Sequence, residues 1–204
     1  MNMKIKICGL TREVDIEYVN EYNPDYIGFI FYKLSRRLIT KEKAKVLKTS
    51  LSRSIKAVGV FVNEDINVIR DIWEADIIDL IQLHGDETEE YIIRLKEITK
   101  APIIKAIRVR DKEQIKISSK TCADFLLFDS YNKNMYGGTG EKFNWEIIDE
   151  INKSFFLAGG IGLEDIKQAK ALGAYAIDVS SSVETDGVKD RDKIKDIING
   201  VRKY

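Results

Sequence analysis

The chain has 204 residues, 33 of them Lys or Arg and 33 Asp or Glu, so its formal charge is zero and no global field favours nucleic acid or an anionic membrane. No apolar run approaches the ~18 residues of a spanning helix, and Met1 to Cys8 lacks the charged-then-apolar layout of a signal peptide. The expected setting is therefore the cytoplasm and the expected partner a small molecule, while two cysteines and a single histidine leave no disulfide framework and no recognisable zinc site.

Short β-rich runs alternate with longer charged segments of helical period. Met3 to Cys8 is the first strand candidate, and Val14, Tyr18 and Val19 stand at helical spacing within Arg12 to Tyr22. Asp25 to Phe31 is a second strand, closed by Lys33 to Arg37 and followed by a helix from about Lys41. Ile55 to Val62, Asp79 to Leu83, Ala101 to Ile107, Ala123 to Phe128, Phe155 to Ala158 and Tyr175 to Val179 bring the strands to eight. Helices are expected near Ile66–Trp73, Glu87–Ile98, Lys112–Ile117, Trp145–Ile151, Glu164–Ala171 and Asp192–Val201. Runs such as Ile27 to Phe31 and Val58 to Val62 are continuously apolar, as parallel strands covered on both faces should be. An open doubly wound sheet is the alternative, but eight units without a Gly-x-Gly-x-x-Gly turn after the first strand favour closure. The expected fold is an α/β (β/α)8 TIM barrel, one domain over residues 1–204, with short loops because such barrels typically need about 250 residues.

In such a barrel the chemistry gathers at the C-terminal strand ends. The seventh strand breaks into Gly159-Gly160 and the eighth into Ser180-Ser181-Ser182. Backbone N–H groups at glycines can close on a ligand and serines add hydroxyls, so the pair of loops is a candidate phosphate cradle; a tight turn and a polar loop are the plainer reading of each alone. The first strand ends Lys6-Ile7-Cys8-Gly9, the second leads to Ser35-Arg36-Arg37, the fourth ends Gln82-Leu83-His84-Gly85, and the sixth ends in Asp129 before Gly137-Gly138-Thr139-Gly140 and Phe143-Asn144-Trp145.

These words, with Lys-Ile-Cys-Gly-Leu-Thr at the start, Gly-Val-Phe-Val-Asn at 59–63, Ala-Gly-Gly-Ile and Asp-Val-Ser-Ser-x-Val-Glu, occur in order across nearly the whole chain. Together the chain resembles the phosphoribosylanthranilate isomerases of tryptophan biosynthesis. That resemblance implies an Amadori rearrangement of N-(5-phosphoribosyl)anthranilate, with no cofactor and no metal. By the family match Cys8 is the base, Asp129 the acid, and Arg37, in the pattern Ser-x-Arg, binds the substrate carboxylate, leaving Arg36 as a solvated charge. Gly159, Gly160, Ser180, Ser181 and Ser182 hold phosphate, and His84 takes a positioning role.

A cysteine acts as a base only as thiolate, and its reference pKa near ~8.5 leaves a minority ionised at neutral pH. Strand alternation puts Lys4 and Lys6 on the face of Cys8, so Lys6 either assists the thiolate or is a structural ammonium paired with Asp178. Asp178 in turn either braces Lys6 or orients ribose. An acid at Asp129 must hold its proton near neutrality, for which apolar surroundings from Phe128 and the substrate's own anions are expected to help. Ser182 stands where the family usually has Gly, which questions the local dihedral. Two other functions fit a phosphate-binding barrel: the histidine-pathway aldose-ketose isomerase, disfavoured by Cys8, and a non-catalytic phosphosugar-binding module. The chain is read as a monomer or a homodimer.

Overall fold

The computed structural model describes residues 2–130, 143–148 and 151–204. Eight parallel strands form a closed barrel in chain order. They are β1 (Lys4–Cys8), β2 (Tyr26–Ile30), β3 (Lys56–Phe61), β4 (Leu80–Leu83), β5 (Ile103–Val109), β6 (Phe125–Ser130), β7 (Phe155–Leu157) and β8 (Ala176–Val179). Outside them run α1 (Glu13–Tyr22), α2 (Lys41–Ser50), α3 (Ile66–Glu74), α4 (Glu89–Ile98), α5 (Lys112–Ser118), α6 (Ile166–Ala171) and α7 (Arg191–Lys203). Closure is made by β1, which pairs with β2 on one side and β8 on the other, Lys6 lying opposite Asp178. Among the described residues no helix is long and apolar enough to cross a membrane.

The elements follow the expected alternation, with two departures. Where a helix is expected over Trp145–Ile151, the described residues hold one 3₁₀ turn, Trp145–Ile147, and Ile148 leaves it with extended dihedrals. Residues 149–150 and the Gly137-Gly138-Thr139-Gly140 run lie outside the described residues. A short hairpin, β9 (Glu184–Thr185) and β10 (Val188–Lys189), was not anticipated. Its turn residues Asp186 and Gly187 both have positive φ, 52° and 79°. Asp-Gly between two short runs is a local signal for such a turn.

Strand alternation divides the core in two. Phe29, Phe61 and Phe128 point outward and are fully buried under the helices, whereas Val58, Ile104, Leu127 and Phe156 fill the barrel interior. The inner set is floored by Tyr26 and Tyr175, whose hydroxyls meet at 2.7 Å beneath the Lys4 ammonium. Apolar packing thus fills the N-terminal half of the barrel and leaves polar side chains for the other end.

A repeated device finishes the lower rim. Asp25, Asp79 and Asp124 each precede an even-numbered strand and accept the backbone N–H of Ile5, Ala57 and Ile103 on the strand before. Burial works against the Asp79 charge, but hydrogen bonds from Lys48 and Ala57 outweigh it and hold the carboxyl below its ordinary pKa. Such a lowered group stabilises the fold above its unfolded pKa, and the contribution disappears as pH falls through the folded value. Asp79→Ala should therefore cost about 1–3 kcal/mol near neutral pH by orphaning the Ala57 N–H. Urea unfolding should show that difference shrinking in acid below the carboxylate range; a pH-independent difference would assign the effect to packing alone.

Candidate active site

The polar side chains left at the C-terminal end converge on one cavity. Cys8, Arg37, His84, Asp129, Gly159, Gly160, Asp178 and Ser180 to Ser182 all line it, together with Tyr32, Val60 and Gln82. Every sequence-predicted site residue except Lys6 therefore borders the same space. Lys6 lies beneath it, fully buried, and its Nζ donates to Asp178 Oδ2 at 2.8 Å.

That pair answers what the sequence left open. Asp178 braces Lys6 with Oδ2, while its buried Oδ1 has no hydrogen-bond partner among the described residues and belongs to a side chain that lines the cavity. Burial works against the Lys6 charge, yet Asp178 and the Cys8 sulfur outweigh it and raise the ammonium above its ordinary value. Lys6 is thus a structural cation that also acts on Cys8. For the thiol the balance runs the other way: burial pushes it up, Lys6 pulls it down, Asp178 adds to the rise, and the net shift is upward. Space for the sulfur comes from Gly28 on β2, where a Cβ would lie 2.7 Å from Cys8 Sγ. A real Cβ would not tolerate that approach, so Gly28 is a site residue that sequence reading missed; a glycine inside an otherwise apolar strand was its signal.

Asp129 stands at the inward-facing end of β6, three strands from Cys8 by way of β7 and β8. Phe128 does not supply its apolar surroundings, because adjacent strand residues face opposite sides and Phe128 packs under the helices. The neighbours of Asp129 are instead the Ser130 N–H, which donates to Oδ1 at 2.8 Å, and His84, whose Nε2 lies 3.2 Å from Oδ2. Gln82 Nε2 is 2.9 Å from His84 Nδ1; with the amide donating, Nδ1 accepts and the ring proton sits on Nε2, towards Asp129. His84 Nε2 therefore faces the carboxyl at close range but without the geometry of a hydrogen bond, and it has no other partner among the described residues. The β4 loop is fixed from behind by Lys105, which donates to Gly85 O and to Glu87, while Glu87 accepts the N–H groups of Asn63 and Gly85.

The candidate phosphate cradle consists of two loops that border the cavity. Gly159 and Gly160 have φ of +88° and +67°, and a Cβ on Gly159 would come within 3.0 Å of Ser130 and 3.1 Å of Asp129 Oδ1. The positive φ favours glycine at both positions, and at Gly159 the room for a Cβ is tight as well. Ser181 to Val183 form a 3₁₀ turn, whose first N–H groups have no partner within the turn. Ser182 is not among the positive-φ residues, so a side chain fits where the family usually has Gly. The Ser180 hydroxyl is already engaged, donating to the Cys8 carbonyl at 3.0 Å and tying β8 to β1.

Arg37 is buried and its backbone N–H is held by Ser35 Oγ at 3.1 Å, which gives the Ser-x-Arg spacing a geometric reason. Its Nε and Nη2 donate to Glu184 at 2.6 and 2.8 Å. Arg36 is 62% exposed and reaches Glu184 only at 3.3 Å, in keeping with a solvated charge.

Residues 5–200 match the family described as N-(5'phosphoribosyl)anthranilate (PRA) isomerase. The chain belongs to the N-(5'-phosphoribosyl)anthranilate isomerase family. It is an isomerase of tryptophan biosynthesis. The N-(5'-phosphoribosyl)anthranilate isomerase of Endomicrobium trichonymphae is 48% identical over 200 residues, 98% of each chain. The crystal structure of the Thermotoga maritima phosphoribosyl anthranilate isomerase is 30% identical with a TM-score of 0.89, covering 99% of this chain and 100% of that one. A phosphoribosyl anthranilate isomerase crystallised with reduced 1-(o-carboxyphenylamino)-1-deoxyribulose 5-phosphate is 29% identical with a TM-score of 0.86, at coverages of 99% and 100%.

The raised thiol gives this site a direct pH test. In a Cys122→Ser background, the rate of Cys8 alkylation by iodoacetamide should rise with pH through a midpoint above the ordinary cysteine value of about 8.5. A midpoint at or below that value would mean that Lys6 outweighs burial.

Proposed function

We propose that this chain converts N-(5-phosphoribosyl)anthranilate to 1-(2-carboxyphenylamino)-1-deoxyribulose 5-phosphate, with Asp129 as general acid and Cys8 as general base. The carrying observation is that a buried thiol, a carboxyl with a histidine 3.2 Å away, a guanidinium, a glycine loop and a serine loop border one cavity. Asp129 protonates the ribose ring oxygen and opens the ring to a protonated Schiff base. Cys8 thiolate then removes the C2′ proton, giving an enolamine that tautomerises to the amino ketone. Burial holds the thiol up, so the thiolate is a minority form in the free protein. The positive Schiff base adjacent to it favours the anion at the step that uses it.

The remaining groups hold the substrate. Phosphate binds at Gly159, Gly160 and the turn at Ser181 and Ser182, with Ser180 tying that loop to β1. Asp178 Oδ1 accepts from a ribose hydroxyl, and Arg37 receives the anthranilate carboxylate on the edge of its fork that Glu184 leaves open. The product-like ligand of the 29% identical relative combines these three features. A non-catalytic phosphosugar module would need none of the pairing of Cys8 with Lys6 or of His84 with Asp129.

If Cys8 and Asp129 act in the transition state, Cys8→Ser and Asp129→Asn should each lower kcat by about 10²–10⁴-fold with little change in KM. Turnover is followed by loss of substrate fluorescence, and rescue of a tryptophan auxotroph lacking the isomerase gives the cellular readout. Near wild-type kcat in Cys8→Ser would move the search for the base to Asp178.

For the binding groups the effect should fall on KM. Arg37→Ala should cost about 1.5–3 kcal/mol of binding and Arg36→Ala almost nothing. Gly160→Val should weaken competitive inhibition by inorganic phosphate, since a β-branched side chain strains a positive φ and fills the approach. Equal effects of the two arginine substitutions, or unchanged phosphate inhibition, would place the respective subsite elsewhere.

A further inference from the structure

Behind the cavity, Glu184 is a buried carboxylate on which three cations converge. Arg37 donates to it twice, at 2.6 and 2.8 Å, Lys189 once at 2.7 Å, and Arg36 once at 3.3 Å from the rim. Glu184 and Lys189 are register partners on β9 and β10, so the hairpin presents both to the same place. The Lys189 ammonium, with its side chain only 1% exposed, also donates to the Ser180 carbonyl at 2.9 Å. One carboxylate is thus the shared anchor of Arg37 and, through Lys189, of the serine loop.

The geometry defines what such an anchor does. A guanidinium is a planar fork with two bidentate edges. Glu184 occupies the Nε/Nη2 edge, which fixes the plane of Arg37 and leaves the edge of the two terminal nitrogens for another planar anion. The stem of Arg37 reaches this position by crossing Gly9, where a Cβ would collide with Arg37 Cδ. Charge points the same way: Arg37 and Lys189, both buried, face a single buried carboxylate, and the surplus positive charge suits an anionic ligand. A hairpin latch built only for stability would gain from charge balance.

We propose that Glu184 is a positioning residue for both ends of the substrate: it aims the Arg37 fork at the anthranilate carboxylate and, through Lys189, holds the Ser180 to Ser182 turn against the phosphate. The proposal rests on the roles given above to Arg37 and the serine loop.

Glu184→Gln keeps the shape but sets an amide donor against the cations. It should raise KM about tenfold with kcat within about threefold, and raise the inhibition constant for inorganic phosphate about fivefold. Arg37→Ala should raise KM similarly but leave phosphate inhibition unchanged, and the double variant should raise KM by less than the product of the two factors, keeping only the part of the Glu184 effect that acts on phosphate. Multiplicative effects on KM, or wild-type KM and phosphate inhibition in a Glu184→Gln protein that has only lost thermal stability, would overturn the proposal. Should Glu184→Gln not fold, Glu184→Asp retracts the carboxylate by one methylene and should raise both constants about threefold; unchanged constants there would overturn it equally. Calorimetric titration with inorganic phosphate separates the two readings. Absence of turnover in the unsubstituted chain would refute the isomerase assignment, whereas equal phosphate affinity with and without Glu184→Gln would refute the positioning role alone.

Discussion

The Lys6–Asp178 ion pair ties the first barrel strand to the last, and the site is built on top of it. Two charges taken out of water at this depth have little net stabilising value, because their attraction does little more than offset desolvation. Losing one partner is another matter, since it leaves an uncompensated buried charge at a cost of about 3–5 kcal/mol. What the pair provides is placement. It sets a cation one inward position below Cys8 and leaves the second oxygen of Asp178, a residue that lines the cavity, without a partner among the described residues, two things that an apolar pair of the same volume could not do.

Around that pair the barrel separates packing from chemistry by depth. Phe156, Leu127, Val58 and Ile104 fill the interior towards the N-terminal ends, and the inward residues one step higher are Cys8, Gln82, Asp129 and Asp178. The consequence is a dry floor under a polar site, where fields act at low effective dielectric. Cys8 shows both sides of this. Burial penalises its thiolate while Lys6 favours it, and burial wins in the ligand-free protein. In the mechanism proposed above, a thiol held back in this way becomes competent as a base when a cation forms beside it, as ring opening to a Schiff base would provide.

The loops repeat one economy: a carboxylate at least partly withdrawn from water accepts a cation and, at Glu87 and Asp79, backbone N–H groups as well. Glu87 gathers Asn63, Gly85 and Lys105, Asp79 gathers Ala57 and Lys48, and Glu184 gathers Arg37 and Lys189. At Asp79 and Glu184 the cations outweigh burial and hold the carboxyl below its ordinary value, and an ionised acceptor forms the stronger hydrogen bonds. For a chain shorter than most barrels of this kind, this fixes loops that have few residues with which to pack themselves.

Strand and helix order was legible in the sequence because it depends on local periodicity. Continuously apolar runs such as Val58 to Val62 announce strands covered on both faces, and the strand ends Cys8, His84, Asp129 and Ser180 to Ser182 follow from where those runs stop. The choice of Arg37 over Arg36 came from the family resemblance, and Arg37 is the one of the two that lines the cavity. Tertiary structure alone decided what depends on contacts between distant segments: the pairing of Lys6 with Asp178 across 172 residues, the His84–Asp129 contact, the space that Gly28 leaves for Cys8, and the meeting of Arg37 with Glu184. It also removed Phe128 from the site, since the face a residue takes depends on register within the closed sheet. The sign of the Cys8 shift belongs to the same class, because burial is a property of everything packed around a group and no short stretch of sequence carries it.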